Sequence, residues 1–203
     1  MGLYDTCLMP RLCHLAMRNK RLRPPRQRVV GAAEGDVLEI GIGSGLNFPY
    51  YGPQARRVFA LEPSPSLIKM ARRSAAKASV PTVFLEASAE QIPLDAKSVD
   101  IVLMTWVGCS IPDIDAALRE MRRVLKPGGR LLFVEHGRAP DANVERWQQR
   151  LEPFWLPLSG GCHLTRRIVD RMPAAGFRVG QVDTGYLPGP KVLTFLYEGS
   201  ATV

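Results

Sequence analysis

No apolar run in this 203-residue chain approaches the roughly 18 to 20 residues needed to cross a bilayer, and its start shows no apolar segment followed by a small-residue cleavage site. A cytoplasmic protein is therefore expected. Cysteine and histidine are sparse. Cys7, Cys13, Cys109 and Cys162 form no C-x-x-C pair, and with His14, His136 and His163 they are too scattered along the chain to suggest a zinc site. No metal is expected, and the thiols are expected to be reduced. Internal repeats, low-complexity segments and long linkers are missing too, so one domain with a sizeable core is expected.

Acidic residues are scarce at the start of the chain. Residues 1 to 30 set seven basic side chains (Arg11, Arg18, Lys20, Arg21, Arg23, Arg26 and Arg28) against Asp5, which supplies +6 of the formal net charge of +8. Leu8, Leu12 and Leu15, joined by Met9 and Ala16, follow helical spacing, with Arg11 and Arg18 off that stripe. Pro24 and Pro25 are expected to end the segment. Residues 1 to 29 thus read as a basic amphipathic arm and 30 to 203 as the main domain. The arm is either a docked helix with a solvated basic face, or an element that lies on an anionic membrane surface through residues 3 to 28 or closes over an apolar substrate. Nucleic acid ranks last, because the arm has no interleaved aromatics to stack bases.

The most informative stretch is Asp36 to Asn47, DVLEIGIGSGLN. Val37, Leu38 and Ile40 suit a strand buried on both faces. Gly41, Gly43 and Gly45 then allow a tight turn and close approach to a ligand. Glu39 inside the run needs a polar partner. The dinucleotide fingerprint G-x-G-x-x-G fits neither register, because its third glycine would fall on Leu46 or Phe48. A nicotinamide-dependent dehydrogenase is therefore the least favoured reading. A second buried strand over 57 to 61 ends at Glu62, Pro63 and Ser64. An acidic side chain there is placed to accept hydrogen bonds from both hydroxyls of a ribose, or else only to cap the helix that Ser64 and Pro65 open through Ala78.

The string E-x-G-x-G-x-G, with REMRRVLKPGGRLLFVEH at 119 to 136, resembles the class I S-adenosylmethionine (SAM) methyltransferases, among them those of quinone biosynthesis. CS at 109 to 110, EH at 135 to 136, WQQ at 147 to 149 and GC-x-LTR at 161 to 166 look like the small thiol methyltransferase-like proteins. The resemblance implies an α/β, Rossmann-like fold with a seven-stranded, mostly parallel sheet and helices on both faces. SAM is the implied cofactor, leaving S-adenosylhomocysteine as product. The implied cofactor site comprises Glu39, Gly41, Gly43, Gly45, Asn47, Glu62, Pro63, Ser64, Ser88, Ala89, Thr105 and Trp106. Ser88 stands where the family often carries an acidic residue against the adenine amino group, and Trp106 is a site border or plain core.

The implied acceptor is small or lipid-like, either a thiol or an amine of the phosphatidylethanolamine type. A thiol of pKa about 8.5 is already partly ionised at neutral pH, whereas an amine must first lose a proton. His136, at the end of the fifth strand, is the candidate base, or it hydrogen-bonds a loop carbonyl and only shapes the pocket. Tyr4, Cys109, His163, Arg166 and Tyr186 are the candidate acceptor contacts. A non-catalytic SAM-binding module that uses its basic arm to hold a partner is the alternative from another class.

Overall fold

The computed structural model describes residues 8–203, so Tyr4 and Cys7 lie outside the described residues. Three consecutive strands, β1 (Gly35–Ile40), β2 (Ala55–Leu61) and β3 (Thr82–Leu85), pair in parallel, and β1 also pairs in parallel with β4 (Val99–Thr105). Beyond β4 come β5 (Leu125–His136), β7 (Phe195–Thr202) and β6 (Arg178–Tyr186). The order is β3-β2-β1-β4-β5-β7-β6, with β7 antiparallel to both its neighbours. The chain reverses its direction of travel across the sheet between β1 and β4, and a crevice therefore opens beyond the carboxyl ends of those strands.

Alternation along the strands divides the core. Leu38, Ile40, Val102, Met104, Leu131 and Phe133 face one side, where α4 (Ile114–Val124) covers them with Ala117, Leu118, Met121 and Val124. Val37, Ile101, Leu103, Leu132 and Val134 face the other, against Val29 and Val30 of α2 (Arg23–Gly31) and Ala71 of α3 (Pro65–Ala75). Because both faces are buried, these strands read as continuous apolar runs. The Asp113 side chain caps α4 by accepting from Ala116 N at 2.9 Å, and Ser64 caps α3 by accepting from Leu67 N at 3.5 Å.

Two sequence expectations shift. Pro24 and Pro25 do not end a helix. They occupy the first turn of α2, where a missing N–H costs nothing. The expected arm-to-domain boundary at 29/30 falls inside that helix, between two buried valines. β5 begins at Leu125 and takes in KPGG at 126 to 129. The described part of the arm holds α1 (Met9–Met17), a 3₁₀ turn (Lys20–Leu22) and most of α2. The chain is completed by α5 (Ala142–Leu158), α6 (Ile168–Arg171) and α7 (Lys191–Thr194). Gln148 of α5 is buried and joins three segments, accepting from Ala139 N and donating to the carbonyls of Gly137 and Val192.

Candidate active site

At the end of β1 the chain turns through Gly41, Gly43 and Gly45, all at positive φ (64°, 55° and 78°). Gly41 faces Val107 so closely that a Cβ would overlap it, and a Cβ on Gly45 would press on Phe48 and Ser74. The Gly43 N–H donates to Glu62 Oε2 and the Ser64 N–H to Glu62 Oε1, both at 3.0 Å. Glu62 thus ties the tip of β2 to the glycine loop, and each of its oxygens retains a further acceptor site. Burial raises its pKa, while these two N–H groups oppose the rise.

Glu39, 1% exposed, finds the polar partners it needs. Asn47 Nδ2 donates to its Oε1 and Tyr51 Oη to its Oε2, each at 2.6 Å. Asn47 Nδ2 also lies 2.9 Å from Thr105 Oγ1, so the glycine loop is joined to the end of β4. Burial pushes the Glu39 carboxyl up to about 7, against the pull of those hydrogen bonds and of Arg26.

Trp106 follows β4 with φ 52°, a left-handed conformation that costs a bulky residue about 1 to 2 kcal/mol. Its surroundings hold it there. Its N–H donates to Val134 O at 2.9 Å, and Arg26, itself buried, lies 5.0 Å over its ring. The next two N–H groups, of Val107 and Gly108, donate to Glu135 Oε1 at 3.0 and 3.1 Å. Burial drives Glu135 up to about 7. A strained residue fixed by so many partners is characteristic of functional sites.

Two cavities meet at this point. The first, of about 400 Å³, lies over the strand ends and is lined by Gly41, Glu62, Ser64, Ala89 and Thr105 among others. The second, of about 450 Å³, lies between α1, α5 and the loop before α7, with Leu12, Trp155, Leu164 and Leu196 in its wall. Six residues border both: Met9, Cys13, Met17, Trp106, Ser110 and Ser159. Three of the six belong to α1, which therefore roofs the junction. His14 Nδ1 lies 2.7 Å from Ser44 Oγ, fastening that roof to the glycine loop.

Of the expected cofactor residues, Glu39, Gly41, Asn47, Glu62, Pro63, Ser64, Ser88, Ala89, Thr105 and Trp106 line the first cavity. Gly43 and Gly45 do not, and serve the turn behind it. The Ser88 hydroxyl donates to Glu90 Oε2 at 2.7 Å and accepts from Glu90 N at 3.3 Å. His136 and Cys109 line the second cavity.

The remaining expected acceptor contacts line neither cavity. His163 Nδ1 pairs with Glu152 at 3.0 Å. Arg166 donates to the carbonyls of Gly108 (2.8 Å) and Ile111 (2.6 Å), a half-buried brace for the turn after β4. Tyr186 is held by Asp141 and by the ring of Phe195. The basic arm is also less free than its sequence implies, since Arg26 is buried and Arg28 forms a two-pronged pair with Glu198 at 2.7 Å.

Tyr51 was not legible in the sequence as a partner of the site, because its role comes from Glu39, 12 residues away. The cysteines and histidines are scattered along the chain but not in space: Cys109, His136 and Cys162 converge, with all their ligand atoms within 4.8 Å of one another.

A methyltransferase domain model matches residues 38–133, from the middle of β1 into β5. The thiol S-methyltransferase TMT1A of Homo sapiens is 35% identical over 168 residues, covering 80% of this chain and 68% of that protein. The chain belongs to the class I SAM-dependent methyltransferase family. Another relative of this methyltransferase chain, the thiol S-methyltransferase TMT1B of Rattus norvegicus, is 36% identical over 154 residues, covering 74% of this chain and 63% of the relative. The chain thus spans about two thirds of the length of these relatives. Among solved structures, the N-methyltransferase NodS of Bradyrhizobium japonicum in complex with S-adenosylhomocysteine shares the methyltransferase fold, with a TM-score of 0.68 at 16% identity, covering 95% of this chain and 97% of that one. SAM is the cofactor of the family, and the first cavity suits it. Glu62 offers free acceptor sites, and Gly41 lets the backbone approach. Asn47 Oδ1 is buried with no hydrogen-bond partner among the described residues.

Proposed function

We propose that the protein transfers a methyl group from SAM to the sulfur of a small apolar thiol. The observation that carries this reading is the second cavity, which abuts the cofactor cavity at Trp106 and Ser110. Its described lining is rich in leucine and contains no aspartate or glutamate. An amine acceptor is cationic at neutral pH and would need a carboxylate there; a thiol enters neutral, at low desolvation cost. Cys109, His136 and Cys162 form one polar spot on the wall, and Asn19, Arg21, Ser110, Ser159 and Thr194 supply its other polar groups. The similarity to two relatives named thiol S-methyltransferases supports the same acceptor.

When bound, SAM supplies an electrophilic methyl group on a sulfonium cation. Glu62 and the glycine loop bind and orient it, and Trp106, held in place by Arg26 and Val134, fixes the boundary between donor and acceptor. With α1 over the junction, water is kept out and the two reactants are held together. Orientation of this kind can supply roughly 7 to 11 kcal/mol of the barrier, which suits an acceptor that is already a good nucleophile. The test is transfer of labelled methyl from SAM to a small alkyl thiol, run beside vesicles containing phosphatidylethanolamine. Label on the thiol is expected. Label in the lipid would overturn the thiol reading, and SAM binding without transfer to either would favour a non-catalytic SAM-binding module.

A second reading concerns the route of the acceptor. Leu8, Leu12 and Leu15 on and beside α1 are 49%, 45% and 69% exposed, and α5 presents Trp147, Leu151, Phe154 and Leu158 at helical spacing. Leu12 and Leu158 both border the second cavity, so the two apolar stripes flank its mouth. Arg11, Arg18, Arg146 and Arg150 lie on or beside the same helices. We infer that this face rests on an anionic lipid surface, from which an apolar thiol partitions inward. No helix among the described residues is long and apolar enough to cross a membrane. Co-sedimentation with anionic vesicles, lost in Leu15→Glu/Phe154→Glu, is expected; no binding by the unaltered protein would dismiss the idea.

A further inference from the structure

We propose that Cys109, His136 and Cys162 form a three-ligand site for a zinc-class cation, with the fourth coordination position open to the apolar cavity. The proposal stands on geometry. Cys109 comes from the turn after β4, His136 is the last residue of β5, and Cys162 lies in the loop after α5. These three separate elements bring two sulfurs and an imidazole within 4.8 Å of one another, and all three residues line the second cavity. Tetrahedral zinc, with Zn–S near 2.3 Å and Zn–N near 2.0 Å, sets such ligand atoms about 3.5 to 3.8 Å apart. The 2.9 Å separation of His136 Nε2 from Cys162 Sγ therefore needs to widen by about 0.6 Å, within reach of side-chain rotation. Two cysteines, one histidine and one open position is a donor set of the catalytic kind, and soft sulfur ligands select zinc and its neighbours over magnesium or calcium.

Without a cation the cluster is poorly satisfied. His136 Nε2 lies 2.9 Å from Cys162 Sγ. The other ring nitrogen, Nδ1, is buried and has no partner among the described residues. On metal binding each thiol releases one proton to solvent and its sulfur donates an electron pair to the cation, as does the imidazole Nε2. The open position can take the sulfur of an incoming thiol, which likewise loses one proton to solvent and is held as a thiolate against the cavity wall. Only this last step rests on the thiol-acceptor reading.

The test uses the full chain without a histidine tag, in phosphine-reduced buffer, with Co²⁺ as a spectroscopic probe. One equivalent of Co²⁺ is expected to give thiolate-to-cobalt charge-transfer absorption and the intense visible bands of a tetrahedral ion, with Zn²⁺ displacing it. Cys162→Ser is expected to weaken binding at least tenfold. A small alkyl thiol should alter the visible bands. A pale octahedral spectrum from the unaltered protein would overturn the site, whether or not the variant folds. Unchanged affinity with undiminished thiolate-to-cobalt absorption in Cys162→Ser would overturn the ligand assignment, and bands that ignore the alkyl thiol would overturn the open position. SAM binding, measured separately by calorimetry, reports on the methyltransferase reading without reference to the metal.

Discussion

His14 and Ser44 meet at 2.7 Å, and through that contact the first helix is fastened to the glycine loop that shapes the cofactor cavity. The partners are 30 residues apart, and the contact crosses the boundary between arm and domain that the sequence suggests. A roof tied to the loop should slow the escape of whatever the loop holds. His14→Ala is therefore expected to speed SAM dissociation about three- to tenfold, the effect of one net hydrogen bond, with little change in melting temperature. Stopped-flow displacement reads the rate; an unchanged value would mean that α1 covers the cavity without retaining its occupant.

Glu62 has two tasks, fixing Gly43 and Ser64 and presenting its remaining acceptor sites to the cavity. Glu62→Ala should weaken SAM binding by about 1.5 to 3 kcal/mol, roughly 10- to 150-fold, the range for hydrogen bonds to a charged group. Isothermal calorimetry with SAM measures it. Equal affinity for the variant would remove Glu62 from the cofactor site.

Two glycines of one motif should respond differently to alanine. At Gly43 a Cβ has no neighbour nearer than 3.9 Å, so Gly43→Ala carries only the left-handed backbone cost of about 1 to 2 kcal/mol. At Gly41 the same cost is joined by overlap with Val107 at the cavity wall. Gly41→Ala is expected to melt lower and bind SAM more weakly than Gly43→Ala. A reversed order in thermal melts and calorimetry would contradict the placement of Gly41.

Glu39 and Glu135 give the fold a pH dependence of unusual sign. Burial lifts both carboxyls from 4.5 to about 7, so between those pH values the folded protein holds protons that the unfolded chain has released. Their contribution to stability is full below pH 4.5, lost as pH rises through 7, and level above. Asp36 and Asp100, held down by Arg56 and Lys126 respectively, act in the opposite sense and lose their contribution only as pH falls below about 4. Without cofactor, the melting temperature should peak near pH 5 and fall by about 5 °C or more by pH 8. A flat profile in differential scanning calorimetry across that range would show that neither carboxyl is protonated in the fold.

Local chemistry made much of this protein readable in its sequence. Val37 to Ile40 followed by three alternating glycines determines a buried strand and a positive-φ turn, because only glycine reaches that backbone without strain. Ser64 before Pro65 marks a helix start, because the cap and the first turn are set by adjacent residues. Most of the expected cofactor residues share one cavity for the same reason, since they lie at strand ends whose order follows from connectivity. The second cavity was not legible. Whether Arg166 meets a substrate or braces Gly108, and whether Tyr186 faces a pocket or Asp141, depends on partners 45 to 58 residues away. Spacing along the chain likewise dismissed a cysteine and histidine cluster that the sheet brings together at the ends of β4 and β5. The sequence by itself determined the strand, turn and cap signals, because those depend on steric and hydrogen-bonding rules between neighbours. Tertiary structure alone decided which distant side chains share a wall, because that depends on how separate elements pack.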